Sequence, residues 1–257
     1  MPIQRVSSKQ AKNNVLRADP ALRVLLPSTN GFNRSNVERM LGRYGMIYVK
    51  PVNGTFGKGV IRVEKSPNAK HPYRFQAGET KYDFDTFDEM YAKLLTAKKR
   101  KPYLAQQGIE LLKHNDRRFD LRVMVQKNPR DAWESTGIIG RLAHPGKIVT
   151  NYHAGGKPLP FSTLLAGHMS PDKRQSFDRR LREIGVAVAS ALEKKYPRLK
   201  EIGIDVAVDE SHHPWILEVN TLPDPYIFRK LPDRSVFRKI HAYAVAYGRF
   251  RKRKREA

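Results

Sequence analysis

Apolar and polar residues recur along this chain in blocks that predict a mixed α and β protein. Over 119–126, Leu121, Val123 and Val125 alternate with Asp120, Arg122 and Met124, the period of a half-buried strand. Residues 132–142 are expected to pair with it through the turn Asn128-Pro129-Arg130-Asp131. Residues 202–209 read as a strand with Ile202, Ile204, Val206 and Val208 on one face and Asp205 on the other. Residues 216–220 read as a short strand, with Leu217 and Val219 turned to a core and Glu218 and Asn220 to the opposite face. Further strands are expected over 46–50, 60–65 and 103–108, the first two enclosing the loop 51–59.

Helical periodicity marks other stretches. Thr86 with Glu89 three residues on is a capping box, opening a helix with Phe87, Tyr91, Leu94 and Leu95 as its apolar face and Lys98, Lys99 and Arg100 at its end. Ser170-Pro171 is a helix start. Phe177, Leu181, Ile184, Val188 and Leu192 then line one stripe, closed near Pro197. Shorter helices are expected over 35–43 and 235–248, and a Gly/Pro-rich loop over 151–160. No internal repeat is visible, and the mixture is α+β with mostly antiparallel pairing.

Composition narrows the picture. The 257 residues and 40% apolar content suffice for one large or two modest domains. There are no cysteines, which excludes disulfides, thiolate metal sites and thiol nucleophiles. No apolar run approaches the length of a membrane span, 186–192 being too short, and the polar, basic residues 1–12 are no secretory signal, so a cytoplasmic location is expected. Lys and Arg number 49 against 25 acids, a formal charge of +24 that attracts polyanions. The basic run from Arg249 to Arg255 reads as a solvated tail able to contact polyanions. It lacks the interleaved aromatics of a single-strand platform, and no zinc-finger, RNA-recognition or compelling helix-turn-helix pattern accompanies it.

Candidate chemistry gathers at a few places. Glu218 and Asn220, two apart on a strand face, are hard oxygen donors, and pairing with the strand of Asp205 would bring a third to a divalent cation. The loop Val52-Asn53-Gly54-Thr55-Phe56-Gly57-Lys58-Gly59 has three glycines in six residues, so its backbone can approach a ligand closely. Gly59, where a P-loop needs Ser or Thr, and the strand that follows argue against a P-loop. The loop can instead fold over a triphosphate as a lid, with Lys50 reaching the phosphates. Gln106-Gln107-Gly108-Ile109-Glu110 is an extended segment between two lobes whose backbone can offer groups to adenine. Arg122 faces the acids of any folded-over sheet and can neutralise a transferring phosphate. Asn151, His153, Gly155 and Gly156 form a polar loop in which the histidine more readily serves structure.

Taken in this order, these features resemble the ATP-grasp superfamily. The wording Val49-Lys50-Pro51-Val52-Asn53-Gly54, Gly57-Lys58-Gly59, Gln106-Gln107-Gly108-Ile109, Arg118-Phe119-Asp120-Leu121-Arg122 and Ile216-Leu217-Glu218-Val219-Asn220 is similar to the YheC/YheD group of spore-coat-associated proteins. The likeness runs from about Lys9 to about Phe228. Asn151-Tyr152-His153-Ala154-Gly155-Gly156 and Gly203-Ile204-Asp205 also resemble the ribosomal-protein glutamate ligases.

The resemblance implies an ATP-grasp fold of two α+β lobes with mainly antiparallel sheets clamping a nucleotide. It divides the chain into a helical or extended segment (1–45), a small lobe (46–110), a large lobe with the metal site (111–248) and a basic tail (249–257). Lys50, and more loosely Lys9, would contact ATP phosphates, with Gly54, Thr55, Phe56, Gly57, Lys58 and Gly59 closing over them. Gln106 would line the site, Gln107 and Ile109 would offer backbone groups to adenine, and Glu110 would lie near ribose. Asp205, Glu218 and Asn220 would hold one or two Mg²⁺ ions, or Mn²⁺ in their place, and Arg122 and Asn151 would sit by the γ-phosphate and acceptor. The implied reaction is ligation of a carboxylate to an amine or other nucleophile through an acyl phosphate, with spore-coat proteins as partners and the endospore coat as a location. Only about 45 residues precede the glycine loop, too few for the separate substrate domain of most ATP-grasp ligases. A catalytically weak coat scaffold is therefore a second reading, and a basic nucleic-acid-binding protein a third, resting on charge alone.

Overall fold

The computed structural model describes residues 2–54 and 57–251, which contain two six-stranded antiparallel sheets. The first holds β1 (Thr29–Gly31), β2 (Met46–Pro51), β3 (Ile61–Lys65), β4 (Tyr73–Ala77), β5 (Thr80–Phe84) and β6 (Tyr103–Gln107), in the order β1-β6-β2-β3-β4-β5. The second holds β7 (Lys113–His114), β8 (Arg117–Lys127), β9 (Trp133–Leu142), β10 (Lys157–Leu159), β11 (Glu201–Val208) and β12 (Pro214–Asn220). It runs β10-β9-β8-β11-β12, with β7 beside β8.

Helices cover the outer faces. α1 (Lys9–Ala18) and α2 (Pro20–Arg23) precede β1, and α3 (Arg34–Tyr44) precedes β2. α4 (Phe87–Ala97) opens with the expected capping box: the Thr86 hydroxyl accepts from the Glu89 amide and the Glu89 carboxylate from the Thr86 amide, both at 3.3 Å. α3 and α4 pack Val37, Met40, Leu41, Phe87, Met90 and Leu94 on Ile47, Val49, Ile61, Val63 and Phe75 of the first sheet. Leu95, expected on that face, is exposed; Met90 takes the place. A turn at α4's C-terminus does not form over the basic run, because Lys98 is already extended.

On the second sheet, α5 (Phe161–Leu165) and α6 (Pro171–Lys195) lead to the main core. Phe177, Leu181, Val188 and Leu192 of α6 meet Leu121, Val123, Val125, Ile202 and Ile204 there, with Leu16 of α1. α7 (Arg234–Ala246), capped by Asp233, and the turn Tyr226–Lys230 cover the other face at Met124, Ile139, Phe228 and Ile240. β8 is therefore buried on both faces, not half-buried as its alternation suggests. Asp120, Arg122 and Gln126 are buried through side-chain pairing rather than exposed to water. The segment 151–160 is not all loop; it holds a short 3₁₀ turn, Tyr152–Ala154, and β10.

The first residues are built into both sheets. α1 packs on α6 and β12, whereas β1 pairs with β6. Upstream, Arg5 reaches the wholly buried Glu201 of β11 at 2.8 Å. Arg249 reaches the same carboxylate at 2.7 Å and donates to the Pro223 carbonyl at 2.9 Å. Arg249 and Phe250, expected in a solvated tail, are thus packed; 252–257 lie outside the described residues. Among the described residues no helix is long and apolar enough to cross a membrane.

Candidate active site

A cleft of about 700 Å³ lies between the sheets. Strand alternation decides what enters it: β2 gives Ile47 and Val49 to the small core and Tyr48 and Lys50 to the cleft. From the second sheet come Asp120, Arg122, Arg141, Asp205, Glu218 and Asn220. Their register places Arg141 opposite Asp120, Arg122 opposite Asp205, Asp205 opposite Glu218, and Gly203 opposite Asn220. The three expected oxygen donors therefore share one face of two neighbouring strands.

A β-bulge between Asp205 and Val206 alters the other face. Asp205 pairs with Glu218 but Val206 with Ile216, so Leu217 is the extra residue. Ile216 and Val219 take the core positions, and Leu217 lines the cleft beside Glu218 instead of facing the core as expected.

The floor of the cleft is a buried charge ladder. Arg122 Nε donates to Asp205 Oδ1 at 2.5 Å, and an Arg141 guanidinium nitrogen lies 3.0 Å from Asp205 Oδ2. Arg141 Nε also donates to Asp120 Oδ1 at 2.8 Å. Burial pushes the Asp205 carboxyl up, but the two guanidiniums outweigh it and hold it at about 2. The Asn220 carboxamide is satisfied with its nitrogen donating to Glu218 Oε1 at 3.2 Å and its oxygen accepting from Arg122 Nη2 at 3.3 Å.

Lysines line the facing wall. Lys9 Nζ lies 3.0 Å from Glu218 Oε1 and donates to the Gly54 carbonyl at 2.9 Å. Lys50 donates to Gln106 Oε1. Lys12, buried, donates to the Val6 carbonyl at 2.8 Å. Burial lowers Lys50 to about 8, Glu218 opposing and Lys9 reinforcing the shift; burial likewise lowers Lys12 to about 8.

The glycine loop reaches across to the second lobe. Gly57 has φ +70°, and a Cβ on it would lie 2.8 Å from Asn151 Oδ1. Gly54, Gly57, Lys58 and Asn151 all line the cleft, as does His153. Gly59 sits under the Tyr103 hydroxyl instead, and Thr55 and Phe56 lie outside the described residues. At the opposite end, Gln106, Gln107 and Ile109 line the cleft. The Gln107 amide donates to the Ser28 carbonyl at 2.8 Å, while the Ile109 amide has no hydrogen-bond partner among the described residues. Glu110 is not brought in: it is 60% exposed and pairs with Arg62 at 3.2 Å.

Among the cleft residues that the sequence reading did not assign to the site are Asp120, Arg141, Lys12, Tyr48 and Arg118. Arg141 is the lone charge in Ile138-Ile139-Gly140-Arg141-Leu142, which is the signal it left. Arg118 lines the cleft with no ion pair among the described residues.

The donor set suits a hard divalent cation. Each Asp205 oxygen keeps a second lone pair beyond its guanidinium contact, and Glu218 Oε2 has no partner among the described residues. No group of three or more His, Cys, Asp or Glu side chains is gathered for a metal among the described residues, so the set is two carboxylates and an amide.

Two antiparallel sheets closing on a cleft, a glycine loop over one side and an acid-bearing strand pair on the other, define an ATP-grasp protein. The D-alanine-D-alanine ligase of Coxiella burnetii aligns with TM-score 0.54 and 14% identity, over 95% of this chain and 57% of that one. The ATP-grasp ligase PsnB, solved with a precursor variant, Mg and ADP, aligns with TM-score 0.52 and 12% identity, over 93% of this chain and 59% of that one. Such identities speak to the fold alone. The chain belongs to the family described as YheC/D like ATP-grasp, whose profile matches residues 4–250. The endospore coat-associated protein YheD of Bacillus subtilis (strain 168) is 24% identical over 196 residues, 75% of this chain and 42% of its own length. YheC of the same organism is 23% identical over 214 residues, 82% of this chain and 58% of its own length. The chain thus spans about half the length of the curated relatives it matches.

Proposed function

We propose that the cleft binds ATP with magnesium and that the chain is an ATP-dependent ligase joining a carboxylate to an amine or related nucleophile. The observation that carries this is the placement of Asp205 opposite Glu218, with Asn220 two residues on, facing Lys9 and Lys50 across one cleft. That PsnB was solved with Mg and ADP supports the choice of ligands.

Asp205, Glu218 and Asn220 are the residues that would hold Mg²⁺, which when bound neutralises triphosphate charge. Lys9 and Lys50 hold phosphate oxygens, and the loop from Gly54 to Gly59 closes over them and excludes water. The unpaired Ile109 amide and the Gln107 carbonyl read adenine. Glu110 must leave Arg62 to reach ribose. Arg122 and Asn151 face the transferring phosphate and the acceptor. The acceptor carboxylate attacks the γ-phosphorus and ADP leaves, giving an acyl phosphate. The amine then attacks the acyl carbon, phosphate leaves with the former carboxylate oxygen, and the amine proton passes to solvent. These side chains act by positioning and by charge, the main sources of catalysis in phosphoryl transfer.

The test is thermal. Mg-ATP is expected to raise the melting temperature, and Glu218→Gln to abolish the rise. A wild-type chain unmoved by millimolar Mg-ATP would overturn the reading.

A second reading has its own observation. Both Asp205 oxygens carry guanidiniums and Glu218 carries Lys9, an arrangement that also suits a nucleotide-holding coat component without turnover. Association with the endospore coat is proposed from the names of the two relatives. A Mg-ATP melting shift without ADP release, over a panel of carboxylates and amines, would select this second reading.

A further inference from the structure

Besides the acids of the strand pair, the cleft is lined by Tyr152, Leu222, Pro223 and Asp224. Large exposed apolar side chains are few among the described residues, yet two of them line this part of the cleft, Leu222 (61% exposed) and Tyr152 (40%), and a third, Tyr226 (46%), follows four residues after Leu222. The Tyr226 amide donates to Asp224 Oδ1 at 2.8 Å, so this mouth continues directly into the turn Tyr226–Lys230 and then α7.

The outer side of α7 is unusual. Ile240 and Ala244 face the core and Val236 and Phe237 pack against it, while Arg234, Arg238 and His241 fall three and four residues apart along another stripe. Arg229, Lys230, Arg234 and Arg238 are exposed and make no ion pair among the described residues. Asp233 caps the helix, accepting from the Ser235 amide at 2.8 Å, and interacts with the charge of Arg238; Asp224 is the other acid of this stretch. Four cations against two acids therefore leave a net basic strip running from α7 to the Leu222–Tyr226 mouth.

The aromatic rings on this strip are already covered. Arg229 lies over Phe237 at 5.6 Å and Arg249 over Phe250 at 5.1 Å, and Phe250 stacks on His241 at 5.3 Å and 15°. Bases need free ring faces to stack on, and these rings offer few. What remains is a row of guanidinium and ammonium groups beside an apolar mouth, which complements a carboxylate-rich chain.

We infer that the outer face of α7 and the Leu222–Tyr226 mouth dock an acidic polypeptide segment and lead its carboxylates to the cleft. This rests on the ligase reading for its purpose, but the docking itself needs no nucleotide. The acceptor is then a glutamate- or aspartate-rich chain, not a free amino acid.

The experiment is fluorescence anisotropy on the full chain with a labelled Glu-rich dodecapeptide, its Gln-substituted counterpart and a single-stranded DNA of matched charge. The Glu peptide is expected to bind at least about tenfold more tightly than either. The double substitution Arg234→Glu/Arg238→Glu is expected to weaken the Glu peptide about tenfold or more. The control Lys173→Glu/Arg180→Glu, which alters net charge equally on α6, is expected to do far less. Tyr226→Ala keeps the charge and should cost roughly fivefold as a lost apolar anchor. Equal or tighter binding of DNA, or equal losses in the α7 and α6 variants, would overturn the inference. Peptide docking without any Mg-ATP melting shift in the wild-type chain would support the docking and sink the nucleotide reading instead.

Discussion

Lys9 Nζ bridges the two lobes: it lies 3.0 Å from Glu218 Oε1 on β12 and donates to the Gly54 carbonyl of the glycine loop at 2.9 Å. A single ammonium thus joins the lid to the proposed metal carboxylate. Lys9→Ala should cost about 0.5–1 kcal/mol of stability, since the pair is partly solvated. It should weaken Mg-ATP by about tenfold, a loss of roughly 1.4 kcal/mol. Urea melts and titration calorimetry measure the two separately, and unchanged affinity would remove Lys9 from the phosphate site.

The Arg141–Asp120–Asp205–Arg122 ladder makes a larger claim on stability. Arg141→Met leaves two buried carboxylates with one guanidinium and should destabilise the chain by about 3–5 kcal/mol. Adding Asp120→Asn removes one of the stranded charges and should recover part of that. Denaturant unfolding of the two single variants and the double variant closes the cycle.

Lys50 gives a pH signature of two opposite signs. Its folded value of about 8 lies below the ordinary 10.5, chiefly through burial. Phosphate binding uses the protonated form, so ATP affinity should fall as pH rises through 8. The unfolded chain binds more protons than the folded one between about 8 and 10.5, so Lys50 and Lys12 should make the unliganded chain more stable as pH rises across that window. Lys50→Arg should flatten the affinity profile, because guanidinium stays charged. Calorimetry and thermal melts from pH 7 to 9.5 would show whether the two trends diverge.

Gly156 supports the loop that carries Asn151 and His153. A Cβ there would lie 2.1 Å from the Thr150 carbonyl oxygen, a clash with backbone that a rotamer change cannot relieve. Gly156→Ala should destabilise by about 1–3 kcal/mol. It should also depress any turnover more than Mg-ATP binding, since Asn151 is displaced while the lysines stay.

Local chemistry made much of this molecule legible in advance. The Thr86 capping box, the Ser170-Pro171 helix start and the alternation of 202–209 each act within a few residues, and each appears where expected. The gathering of Asp205, Glu218 and Asn220 on one face followed from strand parity. Arg141 did not emerge as a site residue, because its role arises from pairing with Asp120 across a hairpin and with Asp205 two strands away. Leu217 misled for a related reason: a bulge adds one residue, and one residue inverts strand parity. The hairpin of β4 and β5 did carry a readable signal, Tyr73 and Phe75 alternating up to Gly78. The lysines of α1 enter the cleft only through tertiary packing on β12, which no local pattern encodes.

Glu201 has no route to water, and the cations that quiet it come from sequence positions almost the whole chain apart. Loss of either Arg5 or Arg249 alone leaves this interior carboxylate with one cation still in place. Only release of both would leave the anion unpaired. A protease cut beside one arginine should therefore weaken the fold while the other segment still holds, and cuts beside both should cost more than the sum of the two.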